Sequence, residues 1–186
     1  MSMMMCAIWL WRSSSGTFSS ETVLPKDLLS DQEGKFAHTL YMDQITFETT
    51  TPQTSANEVM NFYKSCGRET KLEQSDILII ARVGLEIWGV VRLCPEHGYW
   101  VLRTMQVRDD LQGKGIGRKI LNYFKEVAKE RNIEKLYCMP YEHLEYFYSL
   151  IGFQKIDESQ SPEFLAQRAR DFHSRNPAKS VILMST

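Results

Sequence analysis

The sequence predicts one domain of the α/β (α+β) class. Its central sheet, mixed and twisted, has about seven strands and is flanked by helices. Short segments in which apolar residues alternate or run continuously are separated by stretches in which they recur with a helical period. The strand-like segments before residue 107 follow one another through short turns, which favours antiparallel pairing there. With 186 residues, 43% of them apolar, the chain is long enough for one full core.

The first half of the domain is predicted to contain a strand, a helix and a three-stranded meander. Residues 45–51 alternate between apolar and polar side chains, which is typical of a half-buried strand. A helix is expected over 55–65, because apolar residues recur at helical spacing and Gly67 follows as a stop. The three strands of the meander are expected at 77–83, 87–93 and 99–107, with turns at Gly84 and over 95–98.

The second half alternates helices with single strands. A helix is expected from Ile116 to about Asn132, because its apolar residues share one face and its charged residues share the other. Gly152 is predicted to cap a second helix, and Ser161 with Pro162 to open a third. The remaining elements are a strand at 135–139, the capped helix over 141–151, strands at 153–156 and 181–184, and the last helix over 161–175.

Residues 1–42 are predicted to be an N-terminal extension, and residues 43–186 the folded domain. The first twenty residues contain six Ser, one Arg and no acid, a bias that also occurs in organellar transit peptides. The segment lacks the basic start and the cleavage site of a secretory signal. The cytoplasm is therefore the expected compartment, with an organelle as the alternative.

The composition favours no nucleic-acid or membrane partner. Lys and Arg number 22 against 23 Asp and Glu, so the formal net charge is -1 and supplies no global field. No apolar run approaches the roughly 20 residues that span a bilayer. Because Cys6, Cys66, Cys94 and Cys138 form no C-x-x-C pair, we expect reduced thiols and no metal site.

A glycine-rich turn, Q-G-K-G-I-G over 112–117, joins the strand that ends at Val107 to the following helix. Glycine backbone can approach an anion closely, and the positive end of a helix favours negative charge, so a pyrophosphate is the expected ligand. Arg118, Lys119 and Lys114 add positive charge there. The spacing is not that of a dinucleotide fingerprint, which would need a third glycine at Arg118, and no G-x-x-x-x-G-K-[ST] loop is present.

This turn resembles the [RQ]-x-x-G-x-[GA] acetyl-CoA signature of the GNAT family of N-acetyltransferases. The stretch L-R-T-M-Q-V-R-D-D-L-Q-G-K-G-I-G-R-K-I over 102–120 is similar to the family's core, and F-Y-S-L-I-G-F over 147–153 resembles its F-Y-x-x-x-G-F. The matched order of elements covers 45–156. The resemblance implies the GNAT fold, in which the fourth and fifth strands splay apart to admit acetyl-CoA.

The resemblance also implies roles for particular residues. The strand backbone around Met105 and Val107 would hold the pantetheine arm and the acetyl carbonyl, with acetyl-CoA as co-substrate. Tyr148 matches a tyrosine whose hydroxyl lies near the cofactor sulfur in many relatives; a phenol can protonate a departing thiolate, although Tyr148 could instead pack in the core. The residues expected to hold the pyrophosphate are Gln112, Gly113, Lys114, Gly115, Ile116, Gly117 and Arg118.

The expected reaction is transfer of an acetyl group to a primary amine by direct attack on the thioester. Tyr141 and Leu144 stand where relatives often have Asn and Ala, so a catalytically inactive acyl-CoA-binding sensor or interaction protein remains the alternative. The acceptor, a small molecule or a peptide, is not encoded in a readable motif, and a homodimer stays open. The general base also stays open among a water chain, Glu86, Glu96, His97 and His143.

Overall fold

The computed structural model describes residues 44–186, which form a seven-stranded mixed sheet in the order β1-β2-β3-β4-β5-β7-β6. The strands are β1 (Thr46–Thr50), β2 (Ile77–Val83), β3 (Glu86–Glu96), β4 (Tyr99–Val107), β5 (Leu136–Cys138), β6 (Gln154–Ile156) and β7 (Leu183–Ser185). The helices are α1 (Pro52–Ser65), α2 (Ile116–Glu130), α3 (Glu145–Ser149) and α4 (Glu163–Arg175). The predicted fold class and order of elements are confirmed, while the predicted extension, 1–42, lies outside the described residues.

The sheet is antiparallel from β1 to β4 and turns parallel between β4 and β5. The β3–β4 hairpin is closed by His97 and Gly98, whose φ angles of 51° and 84° fit the tight turn that hairpin twist favours. The parallel pairing of β4 with β5 ends at Leu102 and Cys138. Beyond that point, within the described part of the chain, residues 103–107 have no partner in β5, and Arg103, Gln106 and Val107 pair only with β3, so β4 and β5 diverge as expected.

Helices cover both faces of the sheet because side chains alternate along its strands. In β2, Ile77 and Ile79 belong to the core beneath α2, whereas Leu78 and Ile80 belong to the cluster beneath α1. Helix α3 contributes Tyr148 to the α2 side, and α4 packs over β4, β5 and β7 on the opposite face. The open stretch of β4 therefore lies beside α2 and α3.

Two predicted boundaries are wrong in the first half of the domain. Helix α1 begins at Pro52 rather than at Ser55, because a proline is well suited to a first helical position, where its missing N–H costs no bond. Strand β3 continues through Pro95 to Glu96. This is tolerated because pairing with β2 ends at Leu93, so Pro95 lies past the two-sided part of the sheet.

Three boundaries differ in the second half. The helix predicted over 141–151 is a 3-10 turn, Glu142–Leu144, followed by the short α3. Its start is extended because Tyr141 forms a bridge with Val181. The last helix begins at Glu163, with Pro162 rather than Ser161 as its cap, and the last strand begins at Leu183.

Candidate active-site cleft

A cavity of about 610 Å³ lies where β4 and β5 diverge. It is lined by the end of β4, the glycine-rich turn and the segment around α3. Eight of the ten predicted site residues line it: Met105, Val107, Gln112, Gly113, Gly115, Gly117, Arg118 and Tyr148. The other two do not, because the Lys114 side chain is exposed outside the cleft and Ile116 is 1% exposed within the core.

The glycine-rich turn has the backbone geometry for which glycine is needed. Gly113 and Gly115 have φ angles of 74° and 82°, and Gly115 caps α2 without a side-chain hydrogen bond. Gly117 permits a close approach, since a Cβ there would lie 3.1 Å from the Phe147 ring and 3.3 Å from the Met105 methyl carbon. The start of α2 thus presents its first amides beside the cleft.

The end of β4 presents backbone to the cleft. The Arg108 amide donates to the Trp88 carbonyl at 3.0 Å, and neighbouring residues of an antiparallel strand direct their N–H groups to opposite edges. The Val107 N–H therefore faces away from β3, towards the divergence. The Val107 carbonyl accepts from Gln112 Nε2 at 3.2 Å, which ties the glycine-rich turn to the strand.

A bulge in β4 lies immediately before this segment. The β3 pairing jumps from Arg103 to Gln106, and Thr104 within the bulge has a φ angle of 47°, which is uncommon for a residue with a β-branched side chain. The buried Tyr63 hydroxyl donates to the Thr104 carbonyl at 2.7 Å. Arg92, which is buried in an ion pair, donates to the Thr104 hydroxyl at 3.4 Å. These contacts hold the bulge that sets the position of Met105.

Tyr148 is buried in the core and also lines the cleft. It is 7% exposed, and its ring centroid lies 5.4 Å from that of Phe147 and 6.3 Å from that of Phe153. Within residues 44–186 its hydroxyl has no hydrogen-bond partner. Burial, with a smaller contribution from Cys138, raises the pKa of Tyr148, so the phenol keeps its proton at neutral pH.

Of the four candidate bases, His143 is the one that lines the cleft. Glu86 is paired with Arg108, while His97 packs against the Phe164 ring at 4.7 Å. Glu96 is held between two arginines on the opposite face of the sheet.

Several further residues that line the cleft were not predicted as site residues from the sequence. Tyr141 and Leu144, where the sequence departs from the family pattern, both line the cleft, as do Arg68 and Phe147. For Tyr141 and Leu144, the departure from the family pattern was the sequence feature that could have identified them as cleft residues. Arg68 lies far from the motif in the chain and has no local signature.

The described cysteines and acidic residues suggest no other chemistry. Cys66, Cys94 and Cys138 are free thiols, and burial raises the pKa of Cys138 well above its ordinary value. Between residues 44 and 186, no three His, Cys, Asp or Glu side chains are grouped so that they could hold a metal ion. No helix in that range has both the length and the apolar character needed to cross a membrane.

The family model described as the acetyltransferase (GNAT) domain matches residues 46–166. The chain therefore belongs to the GNAT acetyltransferase family. The match includes the whole cleft-forming unit, from β1 through α3. A comparison with curated proteins found no match.

Several solved structures share the fold of this chain. The IAA acetyltransferase from Bacillus cereus is 19% identical with a TM-score of 0.56, and Escherichia coli ElaA is 14% identical with a TM-score of 0.56; each alignment covers 76% of this chain and 98% of that one. A GNAT family acetyltransferase from Elizabethkingia anophelis, solved with acetyl-CoA bound, is 20% identical with a TM-score of 0.52 over 77% of this chain and 98% of its own. At these identities the likeness establishes the fold.

Proposed function

We propose that the protein transfers the acetyl group of acetyl-CoA to a primary amine, by direct attack of the amine on the thioester. The observation that carries this proposal is the meeting, in one cleft, of the glycine-rich turn, the end of β4 where its pairing with β5 has stopped, and Tyr148. The family supports an acetyl transfer. The acetyl-CoA bound to the Elizabethkingia protein supports the same co-substrate here.

The glycine-rich turn is proposed to bind the diphosphate of acetyl-CoA. The amides of residues 113–118 lie at the start of α2, where backbone N–H groups lack intrahelical partners. Arg118 adds positive charge from the cleft lining, and Lys114 adds it from the exposed surface of the same turn. Ile116 contributes through its amide, since its side chain is in the core.

The end of β4 and Tyr148 are proposed to act on the reacting atoms. The Val107 N–H would donate to the acetyl oxygen, which gains negative charge as the amine nitrogen bonds to the carbonyl carbon. When the carbon–sulfur bond breaks, Tyr148 would donate its proton to the thiolate. His143, directly or through water, would take the proton that the amine loses.

Thiol release from acetyl-CoA, measured across a panel of amines and peptides, tests the activity. Calorimetry with coenzyme A tests the binding step. We expect Gly115→Val to abolish binding, because it adds bulk at a φ of 82° inside the proposed diphosphate site. Gly98→Val is the matched control, since Gly98 has a φ of 84° in the β3–β4 turn, outside the cleft.

The results separate the competing functions. Thiol release with any amine supports the transferase. Binding of coenzyme A without thiol release on the whole panel would favour the sensor. No binding by the unaltered protein, or equal loss of binding in both glycine variants, would contradict the proposed diphosphate site.

A further inference from the structure

A second cavity, of about 630 Å³, adjoins the cleft. Arg68, Tyr141 and His143 line both cavities, so the two spaces meet at these three side chains. The rest of the second cavity is lined by Glu142 and by residues 178–180, which precede β7. A molecule held there would reach the cleft beside the end of β4.

The walls of the second cavity are fixed by backbone hydrogen bonds. The Glu142 amide donates to the Ser180 carbonyl at 3.0 Å, and the Ile182 amide donates to the Pro140 carbonyl at 3.0 Å. The Tyr141 ring stacks on His143, with centroids 5.7 Å apart and an interplanar angle of 12°. These bonds join the segment after β5 to the segment before β7, so the backbone on this side of the cavity is held in place.

Two cations of the second cavity lack an acidic partner. Within the described chain, neither Arg68 nor Lys179 has a carboxylate within ion-pair distance, and Arg68 Nε donates at 3.3 Å to the neutral Gln106 side chain. The Glu142 carboxylate is 3.6 Å from the Lys155 ammonium. Arg68 and Lys179 against Glu142 leave the cavity lining with one excess positive charge, and Arg68 lies at the junction with the cleft.

We propose that this second cavity binds the amine acceptor and that the acceptor carries a carboxylate, as an amino acid does. The inference rests on the proposed function and names its substrate class. A guanidinium can bind a carboxylate through two parallel hydrogen bonds. Arg68 is hydrogen-bonded to Gln106, the β4 residue between Met105 and Val107 in the sequence. A carboxylate bound by Arg68 and Lys179 would leave a nearby amine directed towards the cleft.

The test compares matched acceptors that differ in one charge. L-phenylalanine, L-glutamate and glycine are each assayed beside their α-carboxamides, by thiol release with acetyl-CoA in excess. For at least one pair, we expect kcat/KM to be about tenfold higher for the acid, as for one charged hydrogen bond. Arg68→Gln should remove this preference while leaving the KM for acetyl-CoA unchanged, and Lys179→Gln should reduce it.

Arg131→Gln is the matched control, because it removes the same charge from an exposed residue outside both cavities. As a second readout, the N-acetyl derivative of the preferred acid is titrated by calorimetry in the presence of coenzyme A. It should bind to the wild type and not to Arg68→Gln. Equal rates for acid and amide in every pair would overturn the inference while leaving the transferase intact. So would an Arg68→Gln variant that raised the KM for acetyl-CoA instead. Failure with every amine would instead remove the proposed function on which the inference rests.

Discussion

The Tyr148 ring packs in the core and the same side chain lines the cleft, so its packing is compatible with the proposed role as proton donor. We expect Tyr148→Phe to lower kcat at least about tenfold, because phenylalanine keeps the packing and removes the proton donor. The Kd for acetyl-CoA should change less than twofold. Steady-state kinetics and calorimetry measure the two effects.

Tyr146→Phe is the matched control, because Tyr146 is 77% exposed on the same short helix. A Tyr148→Phe variant with the turnover of this control would exclude the acid role of Tyr148.

Thr104 has a backbone conformation that its neighbours must maintain. Tyr63→Phe removes the hydrogen bond to the Thr104 carbonyl and should lower the free energy of unfolding by about 1–2 kcal/mol. Because Met105 follows Thr104, the affinity for acetyl-CoA should fall as well. Denaturant unfolding and calorimetry test both effects.

Ser65→Ala serves as control, since it removes a hydrogen bond to the Phe62 carbonyl at the end of α1, away from the bulge. If the two variants lost equal stability and both kept the wild-type affinity, Tyr63 would have no influence on the cleft.

Helix α2 depends on a close approach to β3 at Gly89. A Cβ at residue 89 would clash with Ile120 Cδ1 and lie 3.0 Å from the Gln106 carbonyl. We expect Gly89→Ala to lower the free energy of unfolding by about 1–3 kcal/mol. Adding Ile120→Val, which removes the clashing carbon, should recover part of that loss in a double-mutant cycle. Additive losses would show that the carbonyl contact dominates.

Glu96 joins three elements, because it is at the end of β3 and is bonded to Arg103 of β4 and Arg168 of α4. Burial acts to raise the pKa of Glu96, but the hydrogen bond from Arg168 and the charge of Arg103 outweigh it, so the net pKa is lowered. A carboxylate with a lowered folded-state pKa stabilises the fold fully above the ordinary glutamate pKa of about 4.3. This contribution is lost as the pH falls through the folded-state value.

Glu96→Gln should therefore lower the free energy of unfolding by about 1–3 kcal/mol at pH 7, and the difference from wild type should shrink as the pH falls below about 4. Denaturant unfolding across pH measures this. Glu130→Gln, at an exposed residue at the end of α2, is the control for loss of one negative charge. A difference that stayed constant down to pH 3 would show that packing, not the ionised carboxylate, is responsible.

Helices and strands were predicted best from the sequence where one pattern of apolar residues continued over the whole element. The apolar stripe of α2 and the continuous run of β2 are long, so their bounds were nearly correct. The predicted bounds of α3 were wrong because its start depends on the pairing of Tyr141 with Val181, which is forty residues away in the chain. The predicted end of β3 was wrong for a similar reason, since a proline at residue 95 is tolerated in the strand only because the pairing with β2 has already ended.

The cleft and the second cavity are built both from contiguous sequence motifs and from residues far apart in the chain. The glycine-rich turn, the end of β4 and the segment containing Tyr148 are marked by contiguous patterns, and these were readable from the sequence. Arg68 comes from the loop after α1, and Lys179 precedes β7; only the folded sheet brings the two to one cavity. The proposed acceptor site could therefore not be predicted from sequence patterns.

The domain boundary remains a prediction. A chain that begins at residue 43 should unfold at the same temperature as the 186-residue chain, within about 2 °C, because the seven strands that the structure describes and the family match lie beyond that residue. Its affinity for acetyl-CoA should also be unchanged. Thermal unfolding and calorimetry of both chains make the comparison. A lower melting temperature or weaker affinity would place residues 1–42 within the functional unit.

The burial of Ile116 links the proposed diphosphate site to the folding of the domain. This side chain lies between two glycines of the turn, yet it packs in the main core. The turn is thus anchored in the core, and if it binds acetyl-CoA as proposed, we expect core substitutions that loosen this anchor to weaken that binding without changing any cleft residue. Attempts to re-engineer cofactor preference here must treat the loop and the interior below it as a single unit.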